Sequence, residues 1–551
     1  MSKALRPGKT KYIFVAGGVM SGIGKGITAS SIGNIMQARG FSVTAMKIDP
    51  YVNVDAGTMN PTEHGEVFVL SDGMECDQDM GNYERFLNKD LPRINYMTTG
   101  SVYQAVIEKE RNLGYNGKCV SVVPEIPLAV IEKIERASQE AKADIVVIEI
   151  GGTVGEYENI LFLEAYRILK IKYPGDTVFI MASFLPLQNG GELKTKPTQH
   201  AVRAAGSVGI QPDAIVARAK VPVDVKRKEK LAFMCNMSVE QIISAPDVES
   251  IYEVPLNFER DGFGSLLTKK LGISGRKPDL TAWKEFVNKG QTAHKKVKVG
   301  IVGKYFSTGD FILSDAYISV IEAIKQAAYT KGLSPEIVWL SAGDFEANPE
   351  RLNELKELDG VIVPGGFGTR SIEGKIAVIE YCRKKKIPYL GLCYGMQLMV
   401  VEFARNVAKM KGAHTTEVDK KTAFPVIDIL PEQIENLKKE NYGGTMRLGD
   451  YTTFLKPKTV AAKHYQAEKT IERHRHRYEV NPEYIEVLEK AGLVFSGHSQ
   501  DGRLMEVAEL PESEHPFFIA TQSHPELTAR PLRPHPLFLG LITAAAKKAG
   551  H

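Results

Sequence analysis

Cysteine is scarce in this chain. There are five in 551 residues (Cys76, Cys119, Cys235, Cys382 and Cys393), an odd number without CxxC spacing. That excludes a disulfide framework and a zinc ribbon and points to a reducing compartment. Net charge is equally slight: 70 basic residues against 66 acidic ones leave +4. No broad nucleic-acid-binding surface is implied, and basic residues are to be sought at local anion sites. No apolar run approaches the roughly 18 residues of a membrane span, and the basic start, residues 1–11, lacks the apolar core of a signal peptide. The expectation is a soluble, cytoplasmic protein that binds neither nucleic acid nor membrane. At 551 residues the chain is too long for one core, so two or three domains are expected.

What is present begins with YIFVAGGVMSGIGKGI at 12–27. A β-rich apolar run meets a loop with glycines at 17, 18, 22, 24 and 26, then a helical pattern of small residues. Such a loop turns backbone N–H groups toward a polyphosphate. The helix N-terminus adds positive potential, and Lys25 adds a full charge. The fit to a standard P-loop is imperfect, because Gly26 stands where Ser or Thr would hold Mg²⁺. The metal must then find its ligands elsewhere, and an acidic residue on another strand is to be looked for.

Residues 41–48 read as a second strand, followed by a polar, Gly-rich region whose acidic cluster 72–79 reads either as a solvated loop or, given the missing P-loop hydroxyl, as a source of Mg²⁺ ligands. The apolar strand IVVIEI at 145–150 carries one carboxylate, Glu149, beside two glycines. A buried strand does not carry Glu without a partner, and α/β sheets place metal and nucleotide ligands at strand C-termini. Further strands at 178–182, 214–217 and 241–244 alternate with helical patterns, giving a mostly parallel sheet. GELKTKPTQH at 191–200 suits a second polyphosphate, although alone it would read as a solvated loop. The basic run 226–230 is either a solvated helix face or the source of one lysine for the same anion.

The pattern lapses over 273–296, which reads as a linker between a domain at 1–272 and another at 297–551. The second domain restarts with a strand from Val297 and a helix whose apolar face is Tyr317, Val320, Ile321, Ile324 and Ala328. More strands are expected at 337–340, 360–363 and 387–392. GLCYG at 391–395 is a strand running into a nucleophile elbow with cysteine in the serine's place, or else a buried cysteine behaving as a small hydrophobe. QSHPE at 522–526 offers His524 and Glu526, completing a possible nucleophile, base and orienting carboxylate. PGGFG at 364–368 could supply oxyanion-hole N–H groups. The fold class is therefore α/β, with two doubly wound, mostly parallel-sheet domains.

GGVMSGIGKG, KIDPYVNVDAGTMNP, HGEVFVL, GELKTKPTQH, PGGFG, GLCYGMQ, GGTMRLG, ERHRHRYEVNP and HPE occur in unbroken order from Tyr12 to about His535. Together they resemble the CTP synthase family, an amidoligase fused to a class I glutamine amidotransferase domain. The resemblance implies ATP-dependent amination of UTP to CTP through a 4-phosphorylated intermediate, with ammonia from glutamine and Mg²⁺ as cofactor. Residue by residue it implies that Ser21, Gly22, Ile23, Gly24, Lys25, Gly26 and Ile27 hold ATP and part of the pyrimidine nucleotide. Lys25 and Lys47 would neutralise the transferring phosphoryl group, Asp79 and Glu149 would bind Mg²⁺, and Val248 would lie along the ATP base. Lys194, Thr195, Lys196, Pro197, Thr198, Gln199 and Lys230 would grip the UTP triphosphate, while Glu156, Tyr157 and Glu158 would read the ring of CTP, the feedback inhibitor.

In the second domain the resemblance assigns Cys393 as nucleophile, His524 as proton carrier and Glu526 as its orienting partner. Gly366, Tyr394, Gly395, Met396, Gln397, Glu417 and Arg477 would bind glutamine, and His64 and Val67 match an ammonia passage. GTP activation, with Arg370 as a contact, and a homotetramer are likewise implied. The chain departs from the family at Glu156 and Tyr157, where Asp-Ile is usual, and at Tyr394, Ser523 and Leu527. None of these removes a reacting group. A catalytically silent nucleotide-binding scaffold is the alternative, and the intact Lys25, Asp79, Glu149, Cys393, His524 and Glu526 argue against it.

Overall fold

The computed structural model describes residues 10–303, 314–366, 368, 370–429 and 446–551. The start before Thr10, Phe367 of the PGGFG turn and residues 443–445 of GGTMRLG lie outside them. The chain divides into two compact units: Met1–Ala56 with Asp79–Lys284, and Gly57–Gln78 with Glu285–His551. Among the described residues no helix is long and apolar enough to cross a membrane.

Continuous apolar runs, buried on both faces, build the first unit. Its strands are β1 (Lys11–Gly18), β2 (Val43–Asp49), β3 (Tyr96–Thr98), β4 (Ile145–Thr153), β5 (Thr177–Phe184), β6 (Ala214–Ala219) and β7 (Ile242–Pro246). They form a seven-stranded sheet in the order β3-β2-β4-β1-β5-β6-β7, parallel throughout. β1 lies at the centre and is buried along its whole length, so the loop that follows it leaves from the middle of the sheet's C-terminal edge. Helix α1 (Lys25–Ala38) continues from that loop and packs its small residues Thr28, Ala29, Ser30 and Ser31 inward.

The second unit holds β8 (Lys296–Gly303), β9 (Ser334–Ser341), β10 (Gly360–Val363), β11 (Tyr389–Leu392), β12 (Arg447–Leu455), β13 (Lys469–His476), β14 (Val494–His498), β15 (Met505–Glu509) and β16 (Phe518–Thr521). The nine-stranded sheet runs β9-β8-β10-β11-β16-β15-β14-β12-β13. Its first five strands are parallel, and the remaining four extend it antiparallel. The helix Ile318–Thr330 buries Val320, Ile321, Ile324 and Ala328 as its spacing requires.

Two stretches differ from their sequence reading. The region read as acidic loop is an antiparallel hairpin, Val67–Val69 paired with Glu75–Asp77, followed by helix α2 (Asp79–Leu87). Glu75 is almost wholly buried, so its charge is paired inside rather than solvated. The stretch read as linker contains the helix Thr281–Gln291, whose Trp283, Phe286 and Val287 are buried. Trp283 packs on Phe86 and Tyr252 in the first unit, and Phe286 on Tyr329 in the second. Its apolar residues are few and set among polar ones, which hides the period.

Gly18 has a packing role beyond loop flexibility. A Cβ there would lie 2.4 Å from Cβ of Ala201, on the helix Lys196–Ser207. Gly18→Ala should therefore force that helix off the sheet and destabilise the first unit by about 1–3 kcal/mol, the usual cost of overpacking. Urea unfolding followed by circular dichroism measures it, and an unchanged midpoint would show that the helix yields freely.

Candidate active site

From Gly18 the chain turns through Gly22 and Gly24, with φ of 71° and 79°, before α1 begins at Lys25. Ile23 plugs the loop from below, while Ser21 and Gly22 are exposed. The Lys25 ammonium donates to the Gly152 carbonyl at 3.0 Å, and its side chain lies over Gly17, whose Cβ would meet Lys25 Cδ at 2.8 Å. Burial lowers the Lys25 pKa, against the pull of Glu149.

Gly26 is explained by what lies against it. A Cβ at this position would fall 1.9 Å from Oδ1 of Asp79. The carboxylate at the start of α2 thus fills the space that a Ser or Thr hydroxyl would need. Lys47 and Glu149 sit opposite each other in the β2–β4 register. Lys47 Nζ donates to Glu149 Oε1 at 2.7 Å and to Asp79 Oδ2 at 2.5 Å, with Asp49 Oδ1 at 3.6 Å. The Tyr83 hydroxyl donates to the other oxygen of Glu149. Burial, then the neighbouring Asp79 charge, raises the Glu149 pKa. Burial also pushes Asp79 up, but Lys47 beside it outweighs that and holds the carboxyl below its ordinary value. Among the described residues no three His, Cys, Asp or Glu side chains gather as a self-sufficient metal cage.

Val248 lines a cavity together with Gly24, Ile27 and Arg218. Sequence reasoning missed Arg218, which donates to the carbonyls of Ala245 and Pro246 at 3.1 and 3.0 Å and pairs with Asp247; an arginine closing the apolar strand β6 was the available signal. Glu156 folds back to accept the Thr153 N–H at 2.8 Å, whereas Tyr157 is 96% exposed.

Lys196 and Lys230 are exposed. Lys194 pairs with Glu192 at 2.7 Å, with Arg227 at 3.9 Å from the same carboxylate. Arg227, from the basic run, was not singled out from sequence. Thr195, Thr198 and Gln199 turn inward. Ser183 donates to Thr198 at 2.9 Å, and Gln199 donates to Thr195 at 3.0 Å. Pro197 lies in the first turn of the helix Lys196–Ser207.

In the second unit β11 runs into Cys393 at φ 50°, and helix α3 (Tyr394–Asn406) follows. A Cβ on Gly391 would lie 2.8 Å from Ala520 Cβ, and one on Gly395 only 2.1 Å from the Val363 carbonyl, so the elbow closes only with glycine on both flanks. Cys393 Sγ lies 3.7 Å from the Arg475 carbonyl and 3.7 Å from Gln522 Nε2. His524 Nδ1 is 2.7 Å from Glu526 Oε1. That bond directs the imidazole's other nitrogen away from the carboxylate. A Cβ on Gly365 would meet His524 Cε1 at 2.8 Å and Cys393 Cβ at 3.6 Å, so this glycine lets the two side chains converge. Burial lowers the His524 pKa, but the adjacent Cys393 and Glu526 outweigh it and raise the value well above the ordinary one.

Cys393, His524, Glu417, Arg477, Gly366 and Val67 share one cavity of about 500 Å³. Glu417 accepts the Gly368 N–H at 2.8 Å. Tyr394, Gly395, Met396 and Gln397 lie beneath it. Gln397 donates to the Tyr478 carbonyl at 2.9 Å, and the Tyr394 hydroxyl to the Gly368 carbonyl at 3.4 Å. Arg370 and His64 are exposed. Arg475 also lines the cavity; the Arg-His-Arg-His-Arg alternation of 473–477 was the signal that could have marked it.

Both halves of the chain match known families. Residues 11–273 match the family described as CTP synthase N-terminus, and residues 312–544 match glutamine amidotransferase class-I. A CTP synthase of Thermococcus gammatolerans is 50% identical over 542 residues, 98% of this chain and 99% of that protein. A CTP synthase of Pyrococcus furiosus is 52% identical over 541 residues, 97% of this chain and 98% of that protein. A solved glutaminase domain of Trypanosoma brucei CTPS with bound acivicin is 33% identical, covering 46% of this chain and 94% of that one, with TM-score 0.41. A phosphate-type loop and a cysteine elbow could be joined in several ligases, but this likeness runs through both halves and the chain between them: the chain belongs to the CTP synthase family.

Proposed function

We infer that the chain converts UTP to CTP, using ATP and the ammonia released from glutamine. The observation that carries this reading is that one chain, half identical to CTP synthases along nearly its whole length, holds both a lysine–carboxylate site at a glycine loop and a Cys–His–Glu site at an elbow. ATP phosphorylates O4 of the uracil, and ammonia then displaces that phosphate at C4.

In the first unit the loop N–H groups of residues 21–27 and Lys25 hold the ATP phosphates. Lys47 neutralises charge on the phosphoryl group in transit, and Val248 and Arg218 flank the base. The fit to Mg²⁺ is supported by the Asp79 carboxylate standing against Gly26 with Glu149 beside it. Mg²⁺ typically takes one or two carboxylates from protein and its other ligands from nucleotide phosphates and water. Held by Asp79 and Glu149, it would supply positive charge to the phosphoryl group in transit. Lys194, Lys196, Arg227 and Lys230 attract the triphosphate of UTP, or of CTP as competing product, while Thr195, Thr198 and Gln199 shape the segment that carries the lysines. The Glu156 loop reads the product's ring.

In the second unit Cys393 attacks the glutamine carboxamide. His524, oriented by Glu526, takes the thiol proton and returns one to departing ammonia. Glu417 and Arg477 match the amino and carboxylate ends of glutamine, and N–H groups at Gly366 and Tyr394 face the oxyanion. Gln397 acts from beneath through Tyr478, and Val67 marks the exit for ammonia. The reading extends to GTP activation near Arg370, to a homotetramer, and to a cytoplasmic location, in keeping with five cysteines that form no disulfide.

Two sets of variants test the division of labour. Cys393→Ala and His524→Ala should each lower glutamine-dependent CTP formation by roughly three orders of magnitude or more. Both should keep synthesis from added ammonium near the parent rate, rising with pH as more NH₃ is present. Lys25→Ala should lose both activities. The uracil-to-cytosine absorbance change follows all three, and glutamine-dependent turnover by Cys393→Ala would remove the nucleophile assignment. For the metal, Asp79→Ala or Glu149→Ala should abolish ammonia-dependent synthesis, and Gly26→Ala should lower it at least about tenfold by displacing Asp79. Parent-like Mg²⁺ dependence in Asp79→Ala would place the metal elsewhere.

A further inference from the structure

Strand β13 carries its odd-numbered arginines toward the hairpin Val67–Val69/Glu75–Asp77, which belongs to the same compact unit. Arg475 Nε donates to Glu75 Oε1 at 2.8 Å, with the Glu75 side chain 1% exposed. Two residues back, Arg473 is fully buried. Its guanidinium donates to the Val69 carbonyl at 3.0 Å and to Asp450 Oδ1 at 3.0 Å, and it lies over the Phe68 ring. The backbone carbonyls of these two arginines contact the reacting residues. That of Arg473 accepts the backbone N–H of His524 at 2.7 Å, and that of Arg475 is the oxygen 3.7 Å from Cys393 Sγ.

Further contacts seat the hairpin. The Asp450 N–H donates to the Ser71 carbonyl at 2.8 Å. Gly449, at φ +92°, comes so close that a Cβ would lie 2.6 Å from both Gly73 N and Ser71 O. These contacts hold the hairpin against β12, the strand paired with β13.

We propose that Glu75 is a positioning residue of the glutaminase: through Arg475 it holds the backbone carbonyl that sets the Cys393 thiol, while Arg473 and the hairpin carbonyl of Val69 do the same for His524. This rests on the reading of Cys393 and His524 as nucleophile and base. Without the Glu75 charge, the contact that ties Arg475 to the hairpin is weakened, and the carbonyl this arginine carries shifts with it. A displacement of about 1 Å in a reacting group costs on the order of a hundredfold in rate.

The test uses the full-length protein with Glu75→Gln, Glu75→Asp and Arg475→Lys. Glu75→Gln should lower kcat with glutamine at least tenfold, with a smaller change in KM. Ammonia-dependent synthesis should stay within twofold of the parent, which also reports an intact fold. Iodoacetamide should alkylate Cys393 more slowly, with a shifted pH profile, and Glu75→Asp should restore part of both losses. Arg475→Lys should behave as Glu75→Gln. Glutamine turnover within twofold of the parent in Glu75→Gln, or a lowered kcat with unchanged alkylation, would overturn the proposal. So would parallel loss of glutamine and ammonia activities in all three variants, which is the mark of a merely structural pair. Cys393→Ala run alongside separates the cases: if it lacks glutamine turnover while Glu75→Gln keeps it, the nucleophile stands and only the positioning role falls.

Discussion

Lys47 is the charge on which the first unit depends. Glu149 lies in the interior of a seven-stranded parallel sheet, where a carboxylate without a partner would not be tolerated. The register puts Lys47 directly across from it, and Asp79 reaches the same ammonium from the start of α2. Taking one partner from such a buried set typically costs about 3–5 kcal/mol, because the remaining charges stay uncompensated. Folding therefore already requires the lysine and the two carboxylates to meet at the strand ends beside the glycine loop. Phosphoryl-transfer chemistry asks for the same groups in the same place, so the site and the stability of the sheet rest on one arrangement.

Strand β13 plays a comparable part in the second unit, by alternation. Arg473 and Arg475 point to the hairpin, while His474 and His476 point into a buried layer where their rings bond to one another at 2.9 Å. Arg447 completes that layer by pairing with Glu479 at 3.1 Å and Glu506 at 2.6 Å. Burial holds both histidines well below their ordinary pKa, so they pack as neutral rings beside the arginine. A strand bonded on both faces by charged or polar groups has little freedom to shift. Its carbonyls can then serve as fixed references for Cys393 and His524.

Much of this was legible in the sequence because it is local. The glycine loop, the elbow around Cys393 and the His-x-Glu pair each declare themselves within a few residues, and Glu149 stands out as a lone charge in an apolar run. Gly26 was legible as a missing hydroxyl, and the structure supplies the reason in the Asp79 oxygen that fills the space. Arrangements that depend on distant partners were hidden. Glu75 and Arg475 are 400 residues apart, and no period or spacing links them, so Glu75 reads as one acid among several in a loop. Thr198, Gln199 and Gln397 carry the residue types of a binding surface, and their side chains also bond within the fold to Ser183, Thr195 and the Tyr478 carbonyl. Composition does not reveal which way a polar side chain turns.

Chain order and compact units also part company at the hairpin. Residues 57–78 fall inside the stretch matched to the CTP synthase N-terminus, yet they are counted with the unit that holds Cys393. Their apolar residues explain this: Val67, Phe68 and Val69 are buried, and Phe68 lies beneath the Arg473 guanidinium. An excursion of about twenty residues costs little extra loop entropy, and burial of that apolar surface with two arginine anchors offsets it. The chain then passes from Gln78 to Asp79, the carboxylate set against Gly26, in one peptide bond of about 3.8 Å between Cα atoms. The segment that fixes the strand beside the nucleophile is thus covalently continuous with the residue that completes the glycine loop, and the sequence position of 57–78 does not reveal the unit to which it belongs.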